Sequence, residues 1–317
     1  MSTTASMPAS TGKQMGASAT ASPPLAKPYR DRFWRRKGEC DFLKPTPAGA
    51  VMRYLILIIL AVIAVFPFLW ELSTSFKGAA EDVYAFPPQL IPAEPTTAHY
   101  QTVANTIPIL KYAGHSLLLG LGTVASQVVF AVCGGYALGV LRFKGKRVIM
   151  AMLLSTMLLP GEVTLTSQYL TIKSLGLANT LFGVFLPGAI GAINVLLVAT
   201  ACSMIPRDIL EAAEIDGAST WQRIRHIVWP NIRGMVSVVA LFSFIGAWDD
   251  FLWPLVVLSD PEKYTLTVGM QYLQSNFGTN PRVVAAGTVI ALVPIIILFA
   301  LAQKQFFKGV QEGGVKG

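Results

Sequence analysis

The sequence predicts an all-α, polytopic membrane protein with six transmembrane helices. Of its 317 residues, 13% are charged and 53% are hydrophobic, whereas an average soluble domain has about 25% charged residues. Four stretches of 17, 30, 33 and 21 residues contain no Asp, Glu, Lys or Arg, and about 20 apolar residues are enough to cross the hydrocarbon core of a bilayer. Because lipid offers no hydrogen-bonding partner, the backbone of such stretches must be helical.

The first 50 residues are predicted to form a separate N-terminal tail. Residues 1–28 are rich in Ser, Thr, Ala and Pro, a composition that buries too little apolar surface to fold. Seven basic residues follow between Lys27 and Lys44, and the short apolar core of a signal peptide is absent. We therefore expect a disordered and then basic cytoplasmic tail, followed by a membrane domain over residues 51–317.

Six spans are predicted in the membrane domain, at about 51–72, 112–140, 147–171, 179–204, 234–257 and 283–304. The third span contains Pro160, Gly161 and Glu162, and the fifth contains Asp249 and Asp250. Both are expected to be broken or lined by water, because proline interrupts a helix and carboxylates avoid lipid. The proline-rich outer connection from about 73 to 111 is expected to be extended or turn-rich rather than helical.

The Lys and Arg residues predict the orientation, because cytoplasmic connections of membrane proteins carry an excess of both. With a cytoplasmic N-terminus, 20 of the 25 Lys and Arg residues fall in cytoplasmic segments and 5 in outer connections. Both termini are therefore predicted to lie in the cytoplasm. The net charge of +8 then reflects orientation in the membrane, and no nucleic-acid partner is expected.

The most informative segment is the cytoplasmic connection 206–230, whose pattern predicts two short helices separated by a turn. Gly217 is typical of the left-handed residue that stops a helix. Ser219 and Gln222 have the spacing of a capping box that begins the second helix, and Pro230 is expected to end it. A compact pair of helices that projects into water between two membrane spans indicates docking on a soluble partner.

Within this connection, Glu211-Ala212-Ala213 followed by Asp216-Gly217-Ala218 resembles the EAA loop of binding-protein-dependent ABC importer permeases. The resemblance covers about residues 52–317 and is closest to the carbohydrate permeases of the maltose-type class. Four further motifs carry it: Phe86-Pro87-Pro88, Gly246-Ala247-Trp248, Asp250-Phe251-Leu252-Trp253-Pro254 and the ending Gly314-Val315-Lys316-Gly317. The pair Ala137-Leu138 ahead of Arg142-Phe143 fits the same class.

The resemblance implies a type I ABC importer permease fold and a mechanism. In this family the loop, here about 205–232, forms a coupling helix that sits in a cleft of a separate ATPase. Closure of two ATPases pulls on two such helices and switches the pore from inward-facing to outward-facing. In this chain the resemblance places Glu211, Ala212 and Ala213 on the docking helix and Asp216, Gly217 and Ala218 at its stop. The tail from Gly313 to Gly317 is also expected to reach the ATPase pair.

The implied partners are a second permease subunit, two ATPase subunits, an extracytoplasmic solute-binding protein and the lipid of a bacterial cytoplasmic membrane. The chain lacks a Gly-x-x-x-x-Gly-Lys-Ser/Thr phosphate loop, so ATP and Mg²⁺ are expected on the partner ATPase. We expect no cofactor, metal or catalytic residue on this chain. The implied solute is a carbohydrate, a related polyol or a glycerol phosphate.

Carboxylates inside a membrane are costly, which makes them candidates for a solute pathway. Glu162 and Asp249 are expected in the outer half of the hydrocarbon core, next to Asp250 and the aromatic residues Trp248 and Phe251. Carboxylates accept hydrogen bonds from sugar hydroxyls, and aromatic rings offer flat faces to C–H surfaces. The alternative is that Asp249 and Asp250 bind backbone amides freed at a helix break, and the sequence leaves both interpretations open.

Two other functional classes compete with an importer subunit. An ion-coupled secondary transporter would explain Glu162 and Asp249, but the sequence shows no inverted repeat and the cytoplasmic helices would have no role. A membrane enzyme would need a nucleophile–base pair or a metal-ligand cluster. The sequence offers neither, and its three histidines are far apart.

Overall fold

The computed structural model describes residues 47–158 and 160–314, and all regular secondary structure in this part of the chain is helical. The helices are α1 (Pro47–Phe76), α2 (Ala98–Thr106), α3 (Ile109–Gly139), α4 (Lys146–Thr156), α5 (Gly161–Ser174), α6 (Leu181–Phe185), α7 (Ala192–Ser203), α8 (Arg207–Ile215), α9 (Thr220–Arg223), α10 (Trp229–Asp249), α11 (Leu252–Val257), α12 (Leu266–Phe277) and α13 (Pro281–Gly314). The predicted tail over residues 1–46 and the predicted ATPase contact of residues 315–317 lie outside the described residues.

Four described helices are long and apolar enough to cross a membrane alone: α1, α3, α13 and a continuous helix from Thr220 to Asp249 that contains α9 and α10. The pair α4 and α5, and the pair formed by residues 181–188 with α7, meet the same requirement together. Each pair is bent by more than 40° at a short break. With each bent pair counted as one span, the structure has the six spans that the sequence predicts, and the predicted fold class is confirmed.

Within the described residues, the chain divides into two units between residues 61 and 62. In the first unit, the described part of α1 has exposed side chains from Val51 to Ala61. These side chains are apolar apart from Arg53 and Tyr54. Exposed apolar side chains along a helix are typical of a surface that faces lipid.

The second unit is built around α3, α7 and α10. Gly135 and Gly139 lie one turn apart on the face of α3 that meets α7. A Cβ atom added at Gly135 would lie 2.5 Å from Cγ1 of Val198, and one added at Gly139 would lie 2.5 Å from the carbonyl oxygen of Ala199. Glycines at this spacing let two membrane helices approach closely, so this pair of glycines fixes the distance between α3 and α7.

The outer connection differs from the sequence prediction in one segment. Residues 77–97 contain no helix, as their prolines predict, but α2 follows directly. The prediction of a non-helical connection was wrong for α2, because the four prolines that suggested it all precede residue 96 and leave every backbone N–H of α2 available. The buried side chains of His99 and Val103 hold this helix in place.

Glu81 organises the non-helical part of the outer connection. Its carboxylate accepts hydrogen bonds from the backbone N–H groups of Gly78 at 2.8 Å, Ala93 at 3.1 Å and Glu94 at 3.1 Å. These hydrogen bonds favour the charged form of the carboxyl group and lower the pKa of Glu81 below its ordinary value. The bond from Gly78 has the largest effect. One ionised side chain thereby joins the two ends of the segment between residues 78 and 94.

We expect the order of residues 78–94 to depend on the ionisation of Glu81. Because the pKa is lower in the folded chain than in the unfolded chain, the stabilisation is complete above the unfolded value of about 4.3 and is lost as pH falls through the folded value. Hydrogen exchange of residues 78–94, corrected for intrinsic rates, should therefore accelerate as the pH falls through the folded-state pKa of Glu81. Glu81→Gln should already exchange rapidly at pH 7, whereas Asp82→Asn, a change to an exposed neighbour, should not. Wild-type protection in Glu81→Gln would contradict this assignment.

Candidate functional site

The first candidate site is the loop 206–230, and its first helix, α8, ends in a complete Schellman motif. Gly217 has a φ of 77°, in the left-handed region predicted from the sequence. The N–H of Gly217 donates to the carbonyl of Glu214 at 3.1 Å, and the N–H of Ala218 donates to that of Ala213 at 2.9 Å. These two bonds satisfy carbonyl groups that a helix end leaves unpaired, so the stop is built into the loop before any partner binds.

Helix α8 is attached to the membrane part of the protein by one buried side chain and presents the rest to the outside. Leu210 is buried in the cluster that includes Val228 and Ile232. Glu211 and Ala212 are exposed, and Ala213 is half-buried. Asp216 and Gly217 are exposed as well, and a Cβ added at Gly217 would meet no atom within 4 Å.

Large apolar side chains are also exposed on this loop. The exposed fraction is 48% for Ile209, 87% for Ile215 and 64% for Trp221. Apolar side chains beside an exposed, rigidly terminated helix are typical of a surface that another protein covers. The structure therefore brings the six predicted coupling residues onto one accessible segment, residues 211–218.

The second helix of the loop begins as predicted and ends differently. Ser219 and Gln222 form both hydrogen bonds of a capping box. The expectation that Pro230 ends this helix was wrong, because the helix continues through the π-helical turn Ile224–Val228 into α10. A π-helical turn, in which the N–H of Trp229 donates to the carbonyl of Ile224, directly precedes Pro230, so the hydrogen-bond pattern of the helix changes where the proline lacks an N–H. The loop is thus continuous with a membrane-spanning helix.

An ion pair that the sequence analysis missed connects the two helices of the loop. Nη1 of Arg223 lies 3.0 Å from Oε2 of Glu214, and the Arg223 side chain is only 14% exposed. A cavity of about 270 Å³ adjoins this pair and is lined by Arg142, Arg207 and Glu211, among others. The pair joins residues nine positions apart, a separation at which sequence patterns do not predict contact.

The predicted pathway residues are placed in different environments. Trp248 is buried and stacks on Phe244, with ring centroids 5.6 Å apart. Asp249 is the exposed last residue of α10. Glu162 is exposed in the first turn of α5, where the helix dipole favours a carboxylate. Trp248 therefore packs in the core. Glu162 and Asp249 do not line the cavity between α3, α7 and α10 that the next paragraph describes.

Asp250 and Phe251 lie in the break between α10 and α11. Asp250 is half-buried and lines a cavity of about 250 Å³ between α3, α7 and α10. One of its carboxylate oxygens accepts the backbone N–H of Trp253 at 3.4 Å, and its backbone carbonyl accepts the hydroxyl of Thr267 at 2.7 Å. Asp250 therefore contributes to the helix break, as one of the two interpretations states, and it lines the cavity, while its part in a solute pathway stays a prediction.

The same cavity contains a polar cluster that the sequence analysis missed. Asn194 donates from Nδ2 to Oε1 of Gln127 and, at 3.2 Å, to the hydroxyl of Ser243. Ser243 donates to the same oxygen of Gln127 at 2.7 Å, and Gln127 donates to the carbonyl of Gly188 at 2.7 Å. These residues are uncharged and lie far apart in three apolar runs, so a search for charged residues passes over them.

Comparison with known proteins agrees with the resemblance. The model of a family described as "Binding-protein-dependent transport system inner membrane component" matches residues 48–312. The arabinooligosaccharides transport system permease protein AraQ of Halalkalibacterium halodurans is 31% identical over 265 residues, which are 81% of this chain and 93% of the relative. The galactooligosaccharides transport system permease protein GanQ of Bacillus subtilis is 30% identical over 83% of this chain and 94% of its own.

Solved structures give a related result. A chain from the crystal structure of a bacterial ABC transporter involved in the import of the acidic polysaccharide alginate matches with a TM-score of 0.71 and 25% identity. The match covers 81% of the chain described above and 96% of the solved chain. Sequence and fold therefore agree over nearly the whole membrane part.

Proposed function

Because this chain belongs to the inner membrane components of binding-protein-dependent transport systems and is a permease subunit of an ABC importer, we propose that it transports a carbohydrate or a related polyol. The support is that its relatives are named for arabinooligosaccharides and galactooligosaccharides and that its structural neighbour imports alginate. These matches favour the importer over the ion-coupled transporter considered above.

The proposed coupling site is the exposed segment 211–218. Glu211, Ala212 and Ala213 would contact a separate ATPase that supplies ATP and Mg²⁺, and Asp216, Gly217 and Ala218 would end the contact. The observation that carries this proposal is the Schellman stop at Gly217 on an exposed helix. It ends a helix whose exposed, partly apolar surface would be free to contact a partner.

The same mechanism requires a second permease subunit and two ATPases, and the family depends on a solute-binding protein outside the membrane. The excess of Lys and Arg supports a cytoplasmic position for the loop and both termini. No cofactor of its own is proposed for this chain, because nucleotide chemistry takes place on the ATPase.

We place the solute pathway at the outer end of α10. Asp250 and Phe251 lie at its break, with Asp249 beside them and Glu162 on α5 as a further polar group along the route. Trp248 acts as a positioning residue, since its stack on Phe244 holds the end of the helix.

Purification of the intact importer tests this function. A tagged chain extracted in mild detergent should bring with it an ATPase and a second permease, and the reconstituted complex should import oligosaccharide into liposomes only with ATP and a sugar-loaded binding protein. Uptake by the tagged chain alone, without ATP, would refute the proposal.

A further inference from the structure

We propose that the cavity between α3, α7 and α10 is a binding subsite for one ring of a neutral sugar and that it discriminates against acidic sugars. This inference rests on the proposed function, because a carbohydrate must reach the membrane part of the protein. It goes beyond the proposed function because it assigns a binding site within this subunit and states that the ligand is uncharged.

The cavity lies at the depth where a transported solute would bind. Counted along the helices from their cytoplasmic ends, Gln127 lies about 18 Å from the end of α3, and Ser243 lies about 21 Å from the start of α10. Asn194 lies about 14 Å from the end of α7. The hydrocarbon core is about 30 Å thick, so three separate helices bring polar side chains to its middle.

The polar cluster forms a fixed wall of this cavity. Each amide of Gln127 and Asn194 is engaged in the hydrogen bonds described above, so neither side chain can rotate without breaking a hydrogen bond. Gly191 makes the wall compact, since a Cβ there would lie 2.9 Å from Nδ2 of Asn194 and 3.0 Å from Oε1 of Gln127. A rigid polar wall in the centre of a membrane is costly unless it serves a ligand or a conformational change.

The carboxylate of Asp250 provides a hydrogen-bond acceptor for the ligand. Its contact with the Trp253 N–H is long, at 3.4 Å. Within the described residues it has no other side-chain hydrogen bond and no basic side chain within 4 Å. A half-buried carboxylate with spare acceptor capacity favours a ligand that donates hydrogen bonds, as sugar hydroxyls do.

Aromatic side chains form the apolar part of the lining. Phe185, Phe242 and Trp253 all face the cavity. The indole N–H of Trp253 donates to the carbonyl of Val184 at 3.1 Å, which fixes the orientation of its ring. Flat apolar faces opposite amide, hydroxyl and carboxylate groups match a sugar ring, which has C–H surfaces and hydroxyl edges.

Size and charge define the class of ligand. A volume of about 250 Å³ is below the range of about 300–1,000 Å³ typical of sites for drug-sized ligands, which suits one ring of an oligosaccharide at a time. Among the described residues, the lining contains one carboxylate and no Lys, Arg or His. A uronate or sulfonate would bring a second negative charge beside Asp250 without a counter-ion, and like charges at short range in a low-dielectric site repel strongly.

Equilibrium binding of radiolabelled disaccharides to the whole importer, without its solute-binding protein, tests the inference. The probes are galactobiose, arabinobiose, maltose and diacetylchitobiose, with digalacturonate as the acidic counterpart of galactobiose. At least one neutral probe should bind, and digalacturonate should bind at least about tenfold more weakly than galactobiose, as expected when a charged group is left unpaired.

Two substitutions of the same residue assign this preference to the cavity. Asp250→Asn should weaken binding of the neutral probe about tenfold, the usual effect of losing a charged acceptor, and should reduce the discrimination against digalacturonate. Asp250→Lys should reverse the preference. Asp82→Asn removes a carboxylate from the outer surface and should change neither affinity.

Three results would overturn the inference: no neutral probe binds, digalacturonate binds as tightly as galactobiose, or Asp250→Lys leaves the preference unchanged. ATP hydrolysis stimulated by the solute-binding protein is measured on the same preparations. If the binding protein still stimulates ATP hydrolysis but the sugar-binding results contradict the inference, only the subsite is refuted. If ATP hydrolysis is not stimulated in the wild type, the proposed function is refuted as well.

Discussion

Replacing Gly217 with aspartate is expected to reduce ATP-driven uptake roughly 100-fold, equivalent to about 3 kcal/mol of lost coupling, while the membrane fold survives. A Cβ at this position meets no atom of the described residues within 4 Å. The residue has a φ of 77°, a conformation that costs a non-glycine residue about 1–2 kcal/mol. The larger effect arises at the proposed ATPase contact, where the new carboxylate would be buried without a partner.

Two further substitutions at Gly217 separate strain from contact. Alanine adds the backbone strain and only one carbon atom, whereas asparagine tolerates the left-handed conformation and has the size of aspartate without its charge. If the ATPase approaches Gly217 closely, the loss of uptake should be smallest with alanine, larger with asparagine and largest with aspartate. If backbone strain alone mattered, alanine would be worse than asparagine. Normal uptake and normal ATPase co-purification in Gly217→Asp would remove the coupling site from this loop.

Replacing Gly139 with valine should destabilise the protein by about 3 kcal/mol or more, the upper range for overpacking a core. The added Cβ would lie 2.5 Å from the carbonyl oxygen of Ala199 and 2.7 Å from Cβ of Cys202. Neither atom belongs to a flexible side-chain end, so α3 and α7 would have to separate. Thermal unfolding of the purified importer in detergent measures the effect.

Gly114→Val is the matched control for this prediction. Gly114 lies on the same helix, and a Cβ there meets nothing within 4 Å. Both changes carry the same helix-propensity difference between glycine and valine, so the difference between the two variants isolates the α3–α7 contact. Equal unfolding temperatures for both variants would show that α3 and α7 are farther apart than described.

The sequence predicts most of the fold because the bilayer restricts the possibilities to apolar helices. The six spans, the break at Pro160 and the stop at Gly217 all follow from local composition or from one residue with a special conformation. Pro230 was misjudged because the effect of a proline depends on the turn before it, and the π-helical turn there is not encoded in a recognisable pattern.

The candidate sites were predicted unevenly for a physical reason. Charged residues in apolar runs are conspicuous, so Asp250 and Glu162 were both selected, although the position of Glu162 at a helix start explains its charge. Gln127, Asn194 and Ser243 are neutral and come from three helices, so only their packing reveals the cluster. The coupling residues, in contrast, are contiguous and carry a recognisable spacing.

The uninterrupted helix from Thr220 to Asp249 has a mechanical consequence. Its 30 residues span about 45 Å, with α8 and the Schellman motif before one end and Asp250 directly after the other. A tilt of about 10° about one end displaces the opposite end by about 8 Å. Movement of the loop is thereby expected to be transmitted along the helix, through the π-helical turn, to Asp250 beyond its other end.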